Sequence, residues 1–340
     1  MLPVERYGRY VRIPTPTGFA VGDVNTYAIL PSRGAPGPVL VDTGVRSDEA
    51  WEALRAGLRR YGFDVADIQL VLLTHAHPDH FGQAARIRRE AGCEVWIHEA
   101  GERSLRRYTE ELAGEPLEVA RQHMRAWGVP EERTSEVRGP ERARDVVEPL
   151  VPDRWLRDEE VVELADVRLR VIHTPGHCPD HIVYVDEQRR VALSGDHLLP
   201  DITPVCLLQL PTRRDGERPS SLMQYCNSLE KAEAMKADLV LPSHGDVVRD
   251  HYSLIASYRT RMDERRDAVL SAFAGGEATA YELGRRLFAD AIDDQLFLVL
   301  SEIVGHLDVL EAEGMLETRS VAGRTLFRPM KSSELALAGA

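Results

Sequence analysis

The sequence predicts an α+β fold in two parts: a larger unit of short strands alternating with helices, and a smaller helical unit at the C-terminus. Three observations carry that expectation. Short, mostly apolar runs at residues 70–73, 169–172, 191–193 and 239–241 each end in a turn rich in histidine, aspartate and glycine. Segments with helical spacing of apolar residues lie between and after these runs. Past Gly275-Gly276 the pattern changes to short helices followed by a hairpin.

Taken in order, residues 25–30 and 38–41 read as strands around the turn-forming segment 31–37, a hairpin connection. Ser47 is an apt N-cap for a helix carrying Trp51, Leu54 and Leu58 at helical spacing. The strand at 70–73 follows, then a helix over 81–91 and a strand over 93–97 that ends at His98, for which a structural role is expected. Residues from about 99 to 157 interrupt the sheet pattern with charged, helix-forming sequence, read as two amphipathic helices ending near Gly128-Val129-Pro130. This insertion is expected to roof a cleft, with Met124 and Trp127 as pocket residues, the alternative being a prop that packs on the sheet. A long helix over 250–274 connects to the last unit. There Leu296, Val299, Leu300, Ile303, Leu307 and Leu310 form one apolar helix face before a hairpin at 314–327. The expected boundaries are 1–250, 251–274 and 275–340.

The chemistry is concentrated in Thr74-His75-Ala76-His77-Pro78-Asp79-His80. Four metal-capable side chains within six residues, directly after a buried strand, place too many costly polar groups together for a solvated loop or a core. Imidazole with carboxylate suits zinc and its first-row neighbours. Further donors follow in Thr174-Pro175-Gly176-His177, Ser194-Gly195-Asp196 and Pro242-Ser243-His244-Gly245, each where a strand stops and a glycine-assisted turn begins. Several strand ends can therefore converge on one point.

These residues resemble the metallo-β-lactamase-fold hydrolases, whose pattern is an early Asp, then His-x-His-x-Asp-His, a His, an Asp and a last His. The resemblance covers residues from about 10 to 250 and implies a four-layer αβ/βα sandwich. It also implies that His75, His77 and His177 hold one metal, that Asp79, His80 and His244 hold another, and that Asp196 bridges them. Asp42, in Val41-Asp42-Thr43-Gly44, matches the early Asp that supports the site without ligating. His77 stands where flavodiiron relatives have a glutamate, which argues against a redox di-iron site. The Asp196 position is a cysteine in the best-known β-lactamase subclass, which argues against antibiotic hydrolysis. The full set is similar to that of glyoxalase II thioesterases, lactonases, phosphodiesterases and ribonucleases, and does not separate them.

Two divalent cations, zinc first with manganese or iron as alternatives, can share a hydroxide and polarise a carbonyl or phosphoryl oxygen. Hydrolysis of a small ester, thioester or related substrate is expected, with an endoribonuclease or phosphodiesterase acting on single-stranded nucleic acid as the alternative. Asp79 and Asp196 are candidate proton acceptors and His197 a candidate proton donor. Arg213 and Arg214, with Arg218 nearby, could contact an anionic part of the substrate, a solvated loop being the plainer reading.

The C-terminal helices and hairpin resemble a winged-helix domain, as found in a mammalian mitochondrial lactamase-like endoribonuclease. Charge opposes nucleic-acid binding. The candidate recognition helix over 295–313 carries Glu302, Asp308, Glu311 and Glu313 with no lysine or arginine, and the net charge of the chain is −13. Only Arg319, Arg324 and Arg328 on the hairpin offer support, so packing or dimerisation is expected of this unit. Cys93, Cys178, Cys206 and Cys226 form no Cys-x-x-Cys pair, which argues against a thiolate zinc site or disulfide framework. The N-terminus has no apolar signal region, no membrane span is expected, and a cytoplasmic location follows from that pattern.

Overall fold

Two mixed sheets lie face to face, and helices cover the outer face of each. The computed structural model describes residues 3–32, 34, 36–109, 115–136, 145–164, 166–213 and 215–330. The first sheet runs in the order β1 (Glu5–Tyr7), β2 (Tyr10–Thr15), β3 (Val24–Ile29), β4 (Val39–Val41), β5 (Leu70–Leu72), β6 (Glu94–His98), β7 (Arg154–Leu156). It is antiparallel as far as β4 and parallel from β4 to β7. The second contains β8 (Val161–Leu164), β9 (Val167–His173), β10 (Ile182–Asp186), β11 (Val191–Gly195) and β12 (Leu239–Pro242), with β12 parallel to β11 at one edge.

Why the parallel strands read as unbroken apolar runs is visible in β4 and β5. Side chains alternate between faces along a strand. Val39 and Val41, like Leu70 and Leu72, enter the core between the sheets with Tyr27, Leu169, Val171, Tyr184 and Leu193. Leu40 and Val71 point the other way, against Trp51, Leu54 and Leu58 of α1 (Asp48–Arg59) and Ile87 of α3 (Ala84–Ala91). Both faces are buried, so every position is apolar. On the outer face of the second sheet, Ile172, Val183 and Val240 pack under Leu229 of α6 (Ser221–Ala234) and Ile255 and Tyr258 of α7 (His251–Ala272). The result is the expected helix–sheet–sheet–helix order.

The helix expected over 81–91 is in fact two. A short turn, α2 (Pro78–Phe81), starts inside the histidine motif, and α3 begins after Gly82 and Gln83. At Gly82 three backbone groups crowd the chain: a Cβ there would lie 2.5 Å from the Pro78 carbonyl, 2.7 Å from that of Val146 and 2.8 Å from the Arg46 nitrogen.

A fourth apolar cluster joins the C-terminal unit to the insertion. It unites Met124 and Trp127, at the end of α5 (Glu115–Ala126), with α8 (Ala280–Leu287), α9 (Leu296–Ala312) and Phe327 of the hairpin β13 (Leu316–Val321) and β14 (Arg324–Pro329). Met124 is 0% and Trp127 5% exposed, which corrects their assignment to a substrate pocket: α5 is a prop against the C-terminal helices. The other insertion helix, α4 (Gly101–Thr109), braces the metal-motif loop instead, because Ser104 Oγ donates to Asp180, which also accepts from the Ala76 backbone. Residues 110–114 and 137–144 of the insertion lie outside the described residues. Among the described residues no helix is long and apolar enough to cross a membrane.

Candidate metal centre

All the predicted donors lie at one end of the sandwich, where β4, β5, β9, β11 and β12 stop. Two groups form there. One nitrogen or carboxylate oxygen each from His75, His77, His177 and Asp196 lies within 4.8 Å of the others, and the same holds for Asp79, His80 and His244. Asp196 stands between them. Its Oδ2 is 3.5 Å from His177 Nε2, and its Oδ1 is 3.5 Å from His80 Nε2 and 3.6 Å from His244 Nε2.

Hydrogen bonds on the far side of each ring decide which nitrogen faces the centre. His177 Nδ1 donates to the Val205 carbonyl and His244 Nδ1 to that of Asp23, both at 2.8 Å. His80 Nδ1 donates to Asp42 Oδ2 at 2.8 Å. Thr74 gives its hydroxyl proton to Asp42, so Thr74 Oγ1 accepts from His75 Nδ1 at 3.0 Å. With Nδ1 protonated, a neutral imidazole turns the Nε2 lone pair inward, as a metal ligand must. His77 is the exception, since its Nδ1 faces the cluster, 2.9 Å from His75 Nε2 and 3.0 Å from His177 Nε2.

Three of the inward atoms have no hydrogen-bond partner in the protein. His80 Nε2, His244 Nε2 and Asp196 Oδ1 are buried without a hydrogen bond, a costly condition in a closed protein. Charge points the same way. Burial, aided by neighbouring imidazoles, pushes His77 down to about 3 and His75 well below the ordinary histidine range, so both are neutral donors. Burial opposes charge on His80 too, yet Asp196, Asp79 and Asp42 together hold its pKa well above normal. The second group therefore demands positive charge, and the donor set fits divalent cations.

Asp42 is the hub behind the centre. Its carboxylate accepts from Thr74 N and Oγ1 and from His80 Nδ1, each at 2.8 Å, and from Ser243 Oγ at 3.3 Å. It thereby ties the ends of β4, β5 and β12 together. Its backbone is left-handed (φ 57), a conformation that aspartate tolerates better than most residues. Gly195 is required in the same sense, because a Cβ there would sit 2.6 Å from His181 Nε2.

His181 was not anticipated from the sequence. It is fully buried, its Nε2 accepts from the Asp196 backbone at 3.0 Å, and its other nitrogen meets Thr174 Oγ1 at 2.8 Å. The signal was available. Pro179-Asp180-His181 repeats the tripeptide Pro78-Asp79-His80, and the second copy supports where the first supplies donors.

Other expected contacts do not reach the centre. His197 faces the core, packs edge-on against Tyr225 and bonds the Ser228 carbonyl at 3.2 Å. Burial lowers its pKa to about 3, so the ring is neutral and its one N–H is committed to the Ser228 carbonyl, which corrects the role expected for it. Arg213 is exposed and paired with Asp215 at 3.2 Å, a solvated loop contact. Arg218 is committed to Asp308 of α9 and lies over the Trp127 ring. Arg214 lies outside the described residues. His98 stacks on His173 at 4.0 Å between ring centres, away from the donor set. A cavity of about 500 Å³ borders residues 203–206, α7 and α9, and contains none of the metal-capable donors.

A family model described as the metallo-beta-lactamase superfamily matches residues 20–244. The probable metallo-hydrolase YqjP of Bacillus subtilis is 28% identical over 334 residues, which is 94% of this chain and 97% of that protein. The hydroxyacylglutathione hydrolase GloC of Haemophilus influenzae is 26% identical over 133 residues, 39% of this chain and 50% of that protein. Among solved structures, a metallo-beta-lactamase family protein of Thermus thermophilus matches with a TM-score of 0.78 and 27% identity, over 95% of this chain and 99% of that one.

Proposed function

The chain belongs to the metallo-beta-lactamase superfamily and is a metallo-hydrolase, and from that premise we propose that it hydrolyses a small thioester or related ester at a dinuclear centre. In this reading His75, His77 and His177 hold one cation, Asp79, His80 and His244 the other, and Asp196 is shared. The observation that carries it is the position of Asp196, with one carboxylate oxygen toward each group of donors. Two divalent cations, zinc by the chemistry of the donors, would supply Lewis acidity toward the carbonyl oxygen and lower the proton affinity of the attacking water.

The chain's own residues do the rest. Asp42 keeps a proton on His80 Nδ1 and so keeps its Nε2 lone pair available, and the carbonyls of Val205 and Asp23 do the same for His177 and His244. His181 fixes the backbone of Asp196. Asp79 and Asp196 are the carboxylates placed to accept the proton that water gives up. The thioester preference draws on GloC, whose name specifies hydroxyacylglutathione, and on the two-group donor arrangement. The helices α8 and α9 with the hairpin are read as a winged-helix-type unit used for packing, since its apolar helix face is taken up by α5, by the connecting helix α7 and by its own elements.

The test is elemental analysis of reconstituted protein, followed by rates on thioesters, lactones, phosphodiesters and single-stranded RNA. About two metal ions per chain and the highest kcat/KM on a thioester are expected, with activity lost to a chelator and restored by metal. A faster phosphodiester or RNA substrate would replace this reading with the alternative.

A further inference from the structure

The imidazoles of the first group come from two loops, and one side chain staples those loops together. Asp180 lies three residues after His177, is fully buried, and accepts through Oδ2 from the Ala76 backbone at 2.7 Å, between His75 and His77. Its Oδ1 accepts from Ser104 Oγ of α4 at 2.8 Å. The staple matters most for His77. The rings of His75, His80, His177 and His244 are each held from behind. His77 turns Nδ1 to the cluster, and among the described residues no hydrogen bond holds its other ring nitrogen, so its place is set by the backbone on either side.

The residue beside Ser104 reaches the same group by another route. Arg103 Nη2 donates to the Leu210 carbonyl at 2.5 Å. The segment that ends there holds His177 twice: the Val205 carbonyl accepts from its Nδ1, and the Leu207 backbone donates to its carbonyl at 3.3 Å. Near the second group the contact of α4 is apolar, Tyr108 against Phe81 at 5.1 Å between ring centres. That group is secured from elsewhere. The His80 carbonyl accepts from Thr43 N at 2.7 Å and Thr43 Oγ1 at 2.8 Å, its ring is held by Asp42, and the His244 ring by the Asp23 carbonyl.

We infer that Asp180 and Arg103 are positioning residues for the first cation and not for the second, so that the helical insertion governs one half of the centre. This rests on the dinuclear reading above. Donors already in place bind a cation without a further cost of ordering. Cutting the bond from Ala76 to Asp180 removes no donor, yet it lets the loop of His75 and His77 shift against the loop of His177. Cutting the bond from Arg103 to Leu210 loosens the segment that orients His177. The ties to Thr43, Asp42 and Asp23 are untouched by either change, and the second cation keeps its hold.

Titration of metal-free protein with cobalt(II), read by visible absorption and by competition with a chelator, gives the binding constants for both cations. Asp180→Ala is expected to weaken one of them by about 10–100-fold, as when a partner behind a ligand is lost, and to leave the other unchanged. Arg103→Met, at an exposed helix position where folding is not at risk, should weaken the same one by about 10-fold. Asp180→Asn still offers an oxygen to the Ala76 backbone and should restore the native affinity. The affected cation is identified by combination. In His77→Ala, which has already lost the first cation, Asp180→Ala should change nothing further, whereas in His244→Ala its full effect should remain. Equal weakening of both cations, an effect that persists in His77→Ala, or failure of asparagine to restore affinity overturns the inference. A single cobalt ion in the native protein removes the dinuclear reading and this inference with it; two ions with no selective loss remove this inference alone.

Discussion

The end of the sandwich that gathers the histidines and the cluster formed by α5, α8, α9 and the hairpin are buried to similar degrees, but different forces hold them. In the first, polar atoms are fixed one by one: a single carboxylate, Asp42, receives four hydrogen bonds and ties three strand ends. In the second, Leu300, Ile303, Leu307 and Phe327 pack among other apolar side chains with no direction beyond fit. Hydrogen bonds of the first kind specify position to a few tenths of an ångström and contribute modestly to net stability. Apolar burial of the second kind contributes more stability and specifies less. Substitutions should therefore separate into those that spoil the site in a folded protein and those that unfold it with the site unspoiled.

The largest effect is expected from Asp196→Ala, which removes the one carboxylate facing both groups. Metal content should drop from about two per chain to one or fewer, and hydrolysis to background, in a chain whose circular dichroism is unchanged. Full metal retention, read by elemental analysis, would show that Asp196 is not shared. Next comes Leu300→Ala, fully buried in α9, which should cost about 2–5 kcal/mol in denaturant unfolding while the folded fraction keeps its metal. Metal lost in step with stability would mean that the two regions are one cooperative unit and the comparison is wrong.

A smaller effect isolates the hub. Asp42→Asn keeps a residue that tolerates the left-handed backbone but withdraws the charge behind His80. Affinity for metal, measured by chelator competition, should fall about 10–100-fold, as is usual when a partner behind a ligand is altered. An unchanged affinity would reduce Asp42 to a structural tie. The smallest effect concerns the hairpin. Arg319 is paired with Glu277 and Arg328 with Glu317, so little positive charge is free to meet phosphate. Anisotropy with labelled RNA or duplex DNA should give binding no tighter than the nonspecific range of about 10⁻⁴ to 10⁻⁶ M, and replacing Arg319, Arg324 and Arg328 by alanine should barely change it. Submicromolar binding with a steep salt slope, lost in that variant, would assign the C-terminal unit a nucleic-acid role.

The same contrast governs what could be read from the sequence. Donor residues are chemically rare and sat beside glycines at strand ends, so the gathering of His75, His77, Asp79, His80, His177, Asp196 and His244 was legible before any fold was known. Asp42 came through the resemblance. His181 escaped because a buried histidine that only supports another residue has no spacing rule. Strand β2 escaped for another reason. Arg12 and Pro14 argue against a strand, yet Arg12 is buried with its guanidinium on Glu5 and Asp246. For Met124 and Trp127 the amphipathic pattern showed that a face is buried but not against what, and α9 lies too far along the chain for local sequence to name it. Arg218 was offered to a ligand for the same reason, its true partner Asp308 being 90 residues away.

One thread of chain joins the two regions. After the Val205 carbonyl grips His177, the Leu208 backbone donates to Ser301 Oγ at 3.1 Å, 93 residues downstream on α9, and the Leu207 carbonyl accepts from Ser221 Oγ at 2.7 Å. The strap that orients one donor is thus anchored to a helix that supplies none. Removing the Ser301 hydroxyl is therefore expected to loosen the hold on His177 without touching a donor, and to speed the loss of metal to a chelator while leaving the number of cations bound unchanged.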